Sequence, residues 1–321
     1  MKRIPPALVL LMLAPILGEL VSAHQSPLEF IDPLNFVVLS LPYGFGALIC
    51  RELVVRWRKG GIALLLLGAA YGIYEEGIVV RSLFNPRWEE LGALAQYNHV
   101  AGVNWTWSAM VIHFHVVISI AASVILVEIL YSAQRKQRWL SDKVLIACFV
   151  GILLWTPMGW WMTSYRPPMG WYILSWIAVF VLAWAAYRLP ATTRSQAGHS
   201  VSRPWVFFLL GLVNMFAFFF TVFLTAEAGK PPLIVTVIFL LLLDVFTLWL
   251  VLRWSNNGTD WDDRHRLALI SGFLGFFVYF CIDQDLTAWQ GSSLVGLLTI
   301  LALCRLGSAV AGRVQAESIQ S

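Results

Sequence analysis

Gly61-Ile62-Ala63-Leu64-Leu65-Leu66-Leu67-Gly68-Ala69-Ala70-Tyr71-Gly72-Ile73-Tyr74-Glu75-Glu76-Gly77-Ile78-Val79-Val80-Arg81 decides the fold class. It is apolar without alternation, so it reads as a helix that crosses a bilayer, for which about 20 such residues suffice. It also sets two adjacent carboxylates inside that run, where ionised groups are costly and need a partner or a function.

Similar runs recur along the chain. They lie near 4–22, 34–57, 61–84, 103–131, 143–163, 169–188, 204–226, 232–254, 266–286 and 290–311, which predicts an all-α polytopic transmembrane helical bundle of about ten spans. Composition agrees: 59% of the 321 residues are hydrophobic and 12% charged, against about 25% charged in a soluble domain. That excludes a cytosolic enzyme, a disordered chain and a nucleic-acid partner.

The loops predict the orientation. One set carries Lys2, Arg3, Arg56, Arg58, Lys59, Arg135, Lys136, Arg138, Lys143, Arg188, Arg194, Arg203, Arg253, Arg264, Arg266, Arg305 and Arg313. The opposite set holds Arg87, Arg166 and Lys230. By the positive-inside rule both termini face the cytoplasm, and the net charge of +4 is a topology signal. The expected location is a membrane of the bacterial cytoplasmic type, crossed many times and contacting the lipid bilayer. Met1-Lys2-Arg3, an apolar run and Val21-Ser22-Ala23 have the outline of a signal peptide. Pro15 and Glu19 interrupt that outline, so the segment is read as an uncleaved first helix. The four cysteines fall in separate spans without ligand spacing and read as apolar packing residues.

The chain reads as a single integral membrane domain, 1–321. Val54-Val55-Arg56-Trp57 before a span ending Glu75-Glu76 has a counterpart in Val251-Leu252-Arg253-Trp254 before a span ending Asp283-Gln284-Asp285. This suggests a parallel repeat of spans 1–4 and 7–10, with sub-units 1–131 and 204–311 joined by the hairpin 143–188. The loop 189–203 is polar.

Depth and helical spacing choose the candidate site. With the third span ending near Phe84, Glu75 lies about 13 Å below the outer boundary at 1.5 Å per residue, and His113 and His115 on the fourth span lie about 15–18 Å below it. Glu75 shares a face with Gly68, Tyr71 and Gly72, and the GxxxG of Gly68 and Gly72 permits close helix packing. Glu76 is about 100° round a regular helix. His115 shares a small, polar stripe with Asn104, Ser108 and Ser119, while His113 points about 200° away. Asp244, near mid-depth on the eighth span, is a further candidate, and Arg81 is placed as an outer electrostatic partner. Arg51-Glu52 reads as a structural ion pair at the cytoplasmic end of the second span.

Glu75-Glu76 followed by Arg81 resembles the paired-glutamate motif of the CPBP intramembrane proteases, the CAAX-protease and bacteriocin-processing family. The resemblance implies a water-activating metal site with Glu75, Glu76, Arg81 and His115 in the motif positions, and zinc held by Glu75 and His115. Here four residues rather than three separate the glutamates from the arginine, and no second histidine beyond His115 matches the family's pattern. The phrase from Gly72 to Gly77, followed by Gly102-Val103-Asn104-Trp105, also resembles a group of uncharacterised bacterial polytopic membrane proteins.

The leading expectation is a carrier of a small solute or ion, proton-linked. Glu75 and Glu76 would act as relay or base, and His115, His113, Arg81, Asn104 and Asp244 as binding groups. The alternatives are a CPBP-like metal-dependent hydrolase and a non-catalytic membrane scaffold whose buried charges only fix helix packing.

Overall fold

The computed structural model describes residues 4–97, 99–191, 201–228, 231–256 and 261–320. Lys2, Arg3, Arg194 and Lys230 of the charged loops, and most of the polar loop 189–203, lie outside the described residues.

Among the described residues, nine helices are long and apolar enough to cross a membrane, preceded by a shorter apolar helix. We label them in chain order: α1 Pro6–Val21, α2 Pro33–Arg56, α3 Gly61–Val79, α4 Trp105–Leu130, α5 Asp142–Met162, α6 Met169–Arg188, α7 Pro204–Ala228, α8 Leu233–Trp254, α9 Asp263–Thr287 and α10 Ser292–Gln315. The protein is an all-α polytopic membrane bundle. The strands found are a two-residue pair, His99–Val100 against Val103–Asn104, in the connection between α3 and α4.

Burial separates inner from outer helices. In α4, 78% of the spanning window is buried and in α3 67%, against 22% or less in α5, α6, α8 and α10. The outer four present Leu, Ile, Val, Phe and Trp outward, as lipid-facing helices do. Lipid is as apolar as leucine, so close backbone approach and buried polar contacts must hold the inner helices together. Gly68 and Gly72 supply that approach: a Cβ on Gly68 would lie 3.1 Å from Val116 Cα, and one on Gly72 3.1 Å from His115 Cβ. The expected small-residue face of α3 therefore packs on α4. Two apolar cores result, one among α1–α6 and one centred on α7 and α9, and α4 contributes to both.

One end of the bundle is tied by ion pairs. Arg51 donates to Glu52 (2.7 Å) and to the Arg135 carbonyl (2.7 Å), and lies over the Trp139 ring. Arg135 pairs with Asp263, and Arg313 donates to Ser132 Oγ (2.9 Å). Tyr131 donates to the Ile4 carbonyl, so Ile4 and Arg313, from opposite ends of the described chain, lie at this same, basic end.

The third span stops at Val79, short of the expected Phe84. Arg81 there takes φ +63°, which costs about 1–2 kcal/mol for a residue with a Cβ. Its fully buried guanidinium donates instead to the Gly159 and Thr163 carbonyls of α5 and its end (2.9 and 3.2 Å). Those bonds fix the turn.

Candidate functional site

Glu75 and Glu76 do not sit on a regular helix. Residues Tyr74–Val79 form a π-helical turn, in which bonds run from residue i to i−5, as from Val80 N–H to the Glu75 carbonyl (2.9 Å). Opposite it, His115–Ala122 of α4 is also π-helical. A wider turn rotates the chain less per residue, so the two adjacent glutamates both face α4. The regular-helix expectation that Glu76 lies well round from Glu75 is thereby corrected.

The two carboxylates meet one imidazole. His115 Nε2 lies 2.8 Å from Glu75 Oε2 and 3.0 Å from Glu76 Oε1. Only the Glu76 contact has hydrogen-bond geometry. A ring N–H points along one line, so the second carboxylate lies beside the same nitrogen without a hydrogen bond. Glu75 Oε2 is consequently a buried oxygen without a hydrogen-bond partner. His115 Nδ1 contacts Ser119 Oγ at 3.1 Å, one turn on, which fixes the ring. Glu76 Oε2 accepts from Ser82, which in turn accepts from the Trp107 indole (2.9 Å).

Aromatic rings close the cluster. Tyr71 and Tyr43 lie 5.5 and 6.0 Å from the His115 ring, centroid to centroid. Both are buried, and the Tyr71 hydroxyl has no hydrogen-bond partner. A carboxylate oxygen and a hydroxyl are thus left unsatisfied beside one imidazole. Donor atoms of Glu75, Glu76 and His115 also lie within 4.8 Å of one another, close enough for all three to touch one small cation.

The other candidates go elsewhere. His113 points to the far side of α4, where Nδ1 lies 2.9 Å from Asp244 Oδ1 on α8 and the ring stacks on Phe218 at 3.9 Å. Asp244 therefore meets His113 and not His115. Asn104 caps α4: its Oδ1 accepts from Trp107 N–H and its Nδ2 donates to the Leu94 carbonyl. Arg81 binds backbone carbonyls of the α5 region, and its guanidinium lies over the Trp160 ring at 4.6 Å. Tyr43, from α2, escaped the sequence reading; nothing in the spacing of a tyrosine among apolar residues marks it.

A family model described as an uncharacterised membrane protein family matches residues 8–283. The chain belongs to this family. The family region takes in nearly all of α1, the whole of α2 to α8 and most of α9, so Glu75, Glu76, His115 and the two tyrosines all lie inside it. The match agrees with one of the two sequence resemblances and lends nothing to the intramembrane-protease one. No curated protein and no solved structure matches this member of the family.

Proposed function

We propose that the protein is a carrier of a small solute or ion, coupled to protons through the Glu75–His115–Glu76 cluster. One observation carries this reading: a single buried imidazole stands between two buried carboxylates of a neighbouring helix, with one carboxylate oxygen unpartnered. A purely structural pair needs one carboxylate; the second adds a like charge and a desolvation penalty. Two carboxylates on one imidazole can instead hold an added proton, or a cation that displaces it, without a large rearrangement. Helices α3 and α4 are the most buried of the bundle, as expected for a site reached from one membrane face at a time.

The hydrolase reading has less support. Its pattern asks for a second histidine at the site, and His113 turns away to Asp244.

The test is transport in proteoliposomes. Proton flux, followed with a trapped pH-sensitive dye across an imposed pH gradient, should fall to the empty-liposome level in Glu75→Gln and His115→Ala. Flux that survives both substitutions in folded protein would exclude the relay.

A further inference from the structure

The described cluster is buried, so protons need a way in. A second group of titratable side chains lies between it and the face of the bundle that carries the 81–103 segment. Glu19, in α1, is buried, yet its Oε2 lies 2.7 Å from His24 Nδ1. The other ring nitrogen of His24 lies 3.1 Å from Glu90 Oε1, and both His24 and Glu90 are nearly half exposed.

The backbone builds this arrangement. Ile16–Val21 is a third π-helical turn, and the chain then reverses at Ala23 with φ +56°. That reversal brings His24 N–H back to the Glu19 carbonyl (3.0 Å) and lays the imidazole over the Glu19 carboxylate. A left-handed conformation at a residue with a Cβ is unfavourable and persists where the surroundings impose it.

Tyr43 bridges inward. Its ring lies against Gly18, where a Cβ would come within 2.5 Å of Tyr43 Cε1, and its other side approaches His115. Tyr43 therefore sits between the turn that carries Gly18 and Glu19 and the His115 imidazole of the cluster. From α9 the Cys281 thiol donates to the Val21 carbonyl (3.4 Å), next to this turn.

We propose that Glu19 is the port through which protons reach the Glu75–His115–Glu76 cluster from the 81–103 face, and that His24 is the plug over that port. The proposal rests on the relay reading above. A proton leaves water for a Glu19 oxygen. Tyr43 accepts it on its hydroxyl oxygen while releasing its own proton towards Glu75, and so ends unchanged. The net result is one proton moved from water to the cluster. His24, charged and paired to both Glu19 and Glu90, covers the Glu19 carboxylate and repels an incoming proton.

The experiment uses the full chain in lipid nanodiscs and difference infrared spectroscopy after a pH jump, which reads protonation of buried carboxyl groups directly. Glu75→Gln identifies the cluster's signal by removing it. Glu19→Gln and Tyr43→Phe should then keep the signal's amplitude but slow its appearance about 100-fold, the low end of what a positioned acid–base group contributes. Glu19→Asp should restore most of the rate. His24→Gln should speed it, the opposite direction, which loss of packing would not produce. If Glu75→Gln removes the signal while Glu19→Gln, Tyr43→Phe and His24→Gln leave its rate unchanged, the port is elsewhere and the relay reading stands. If Glu75→Gln removes nothing, the relay reading falls and the port with it. Should Glu19→Gln not fold, the opposed effects of Tyr43→Phe and His24→Gln decide the matter.

Discussion

His113 and His115 stand two residues apart on α4 and pair with acids on opposite sides of it, Asp244 of α8 at 2.9 Å and Glu75 of α3 at 2.8 Å. The central helix thus holds one histidine–carboxylate contact to each half of the bundle. The side facing α3 carries a second carboxylate, and this asymmetry makes it the candidate site.

Removing the imidazole alone should be worse than removing the whole cluster. His115→Ala leaves Glu75 and Glu76 buried together without the imidazole between them, and breaking such a buried pair costs about 3–5 kcal/mol. The triple variant Glu75→Leu, Glu76→Leu, His115→Leu removes the charges and should recover much of that loss. Thermal unfolding of the purified proteins in one detergent measures both. A triple variant less stable than the single one would show that the charges themselves stabilise the fold.

Close approach of α3 to α4 depends on a missing side chain. At Gly72 a Cβ would lie 3.1 Å from His115 Cβ and 3.4 Å from Ile112 Cα. Alanine needs a shift of a few tenths of an ångström, whereas Gly72→Val adds two methyl groups against α4. Overpacking of that kind costs about 1–3 kcal/mol. Gly72→Val should also weaken the His115–Glu75 contact, so proton flux should drop further than in Gly72→Ala. Equal flux in the two would show that the helix spacing does not set the site.

The His24 bridge makes a pH-dependent contribution to stability. Hydrogen bonds to Glu19 and then Glu90 raise the His24 pKa from 6.5 to about 11. A group whose folded pKa is raised stabilises fully below its unfolded value and loses that contribution as pH climbs to the folded one. The Tm difference between wild type and His24→Gln should therefore be largest near pH 6, shrink steadily above it, and vanish near pH 11. Solvent at the half-exposed ring keeps the effect small. A difference that grows with pH would have the wrong sign for this bridge.

The charged loops predict an orientation that can be read chemically. In a chain stripped of Cys50, Cys148, Cys281 and Cys304, single cysteines at the exposed positions Gln137 and Glu89 lie at opposite ends of the bundle. The positive-inside rule predicts that a membrane-impermeant maleimide added to intact cells labels Glu89→Cys and spares Gln137→Cys. The reverse pattern would invert the port as well, which would then open to the cytoplasm.

Sequence logic reached the Glu75–His115 pairing because it needed only span ends, a rise per residue and a GxxxG face. It also separated His113 from His115, since an i,i+2 pair diverges on any helix of this width. It could not place Glu76 on the same histidine, because that depends on a π turn, and the apolar pattern around Tyr74–Val79 looks the same in either winding. The same winding hid Glu19, which the sequence marks only as an interruption of a signal-peptide outline. The contacts of Arg81 are hidden for another reason: its partners are backbone carbonyls, Gly159 and Thr163, which no residue pattern announces. The partner of His113 depended on how α8 packs beside α4, a tertiary fact.

The three π turns, at Ile16–Val21, Tyr74–Val79 and His115–Ala122, carry Glu19, Glu75 with Glu76, and His115. A π turn amounts to an α-helix with one residue inserted. Each of these acids and the histidine therefore owes its aim to a local surplus in the count of residues, a change of length rather than of side chain. Deleting one residue inside such a turn would let the helix relax to regular winding and swing everything on one side of it by about 100°. A family member shorter by one residue in any of the three turns would keep the same fold and the same glutamates, yet point them at different neighbours.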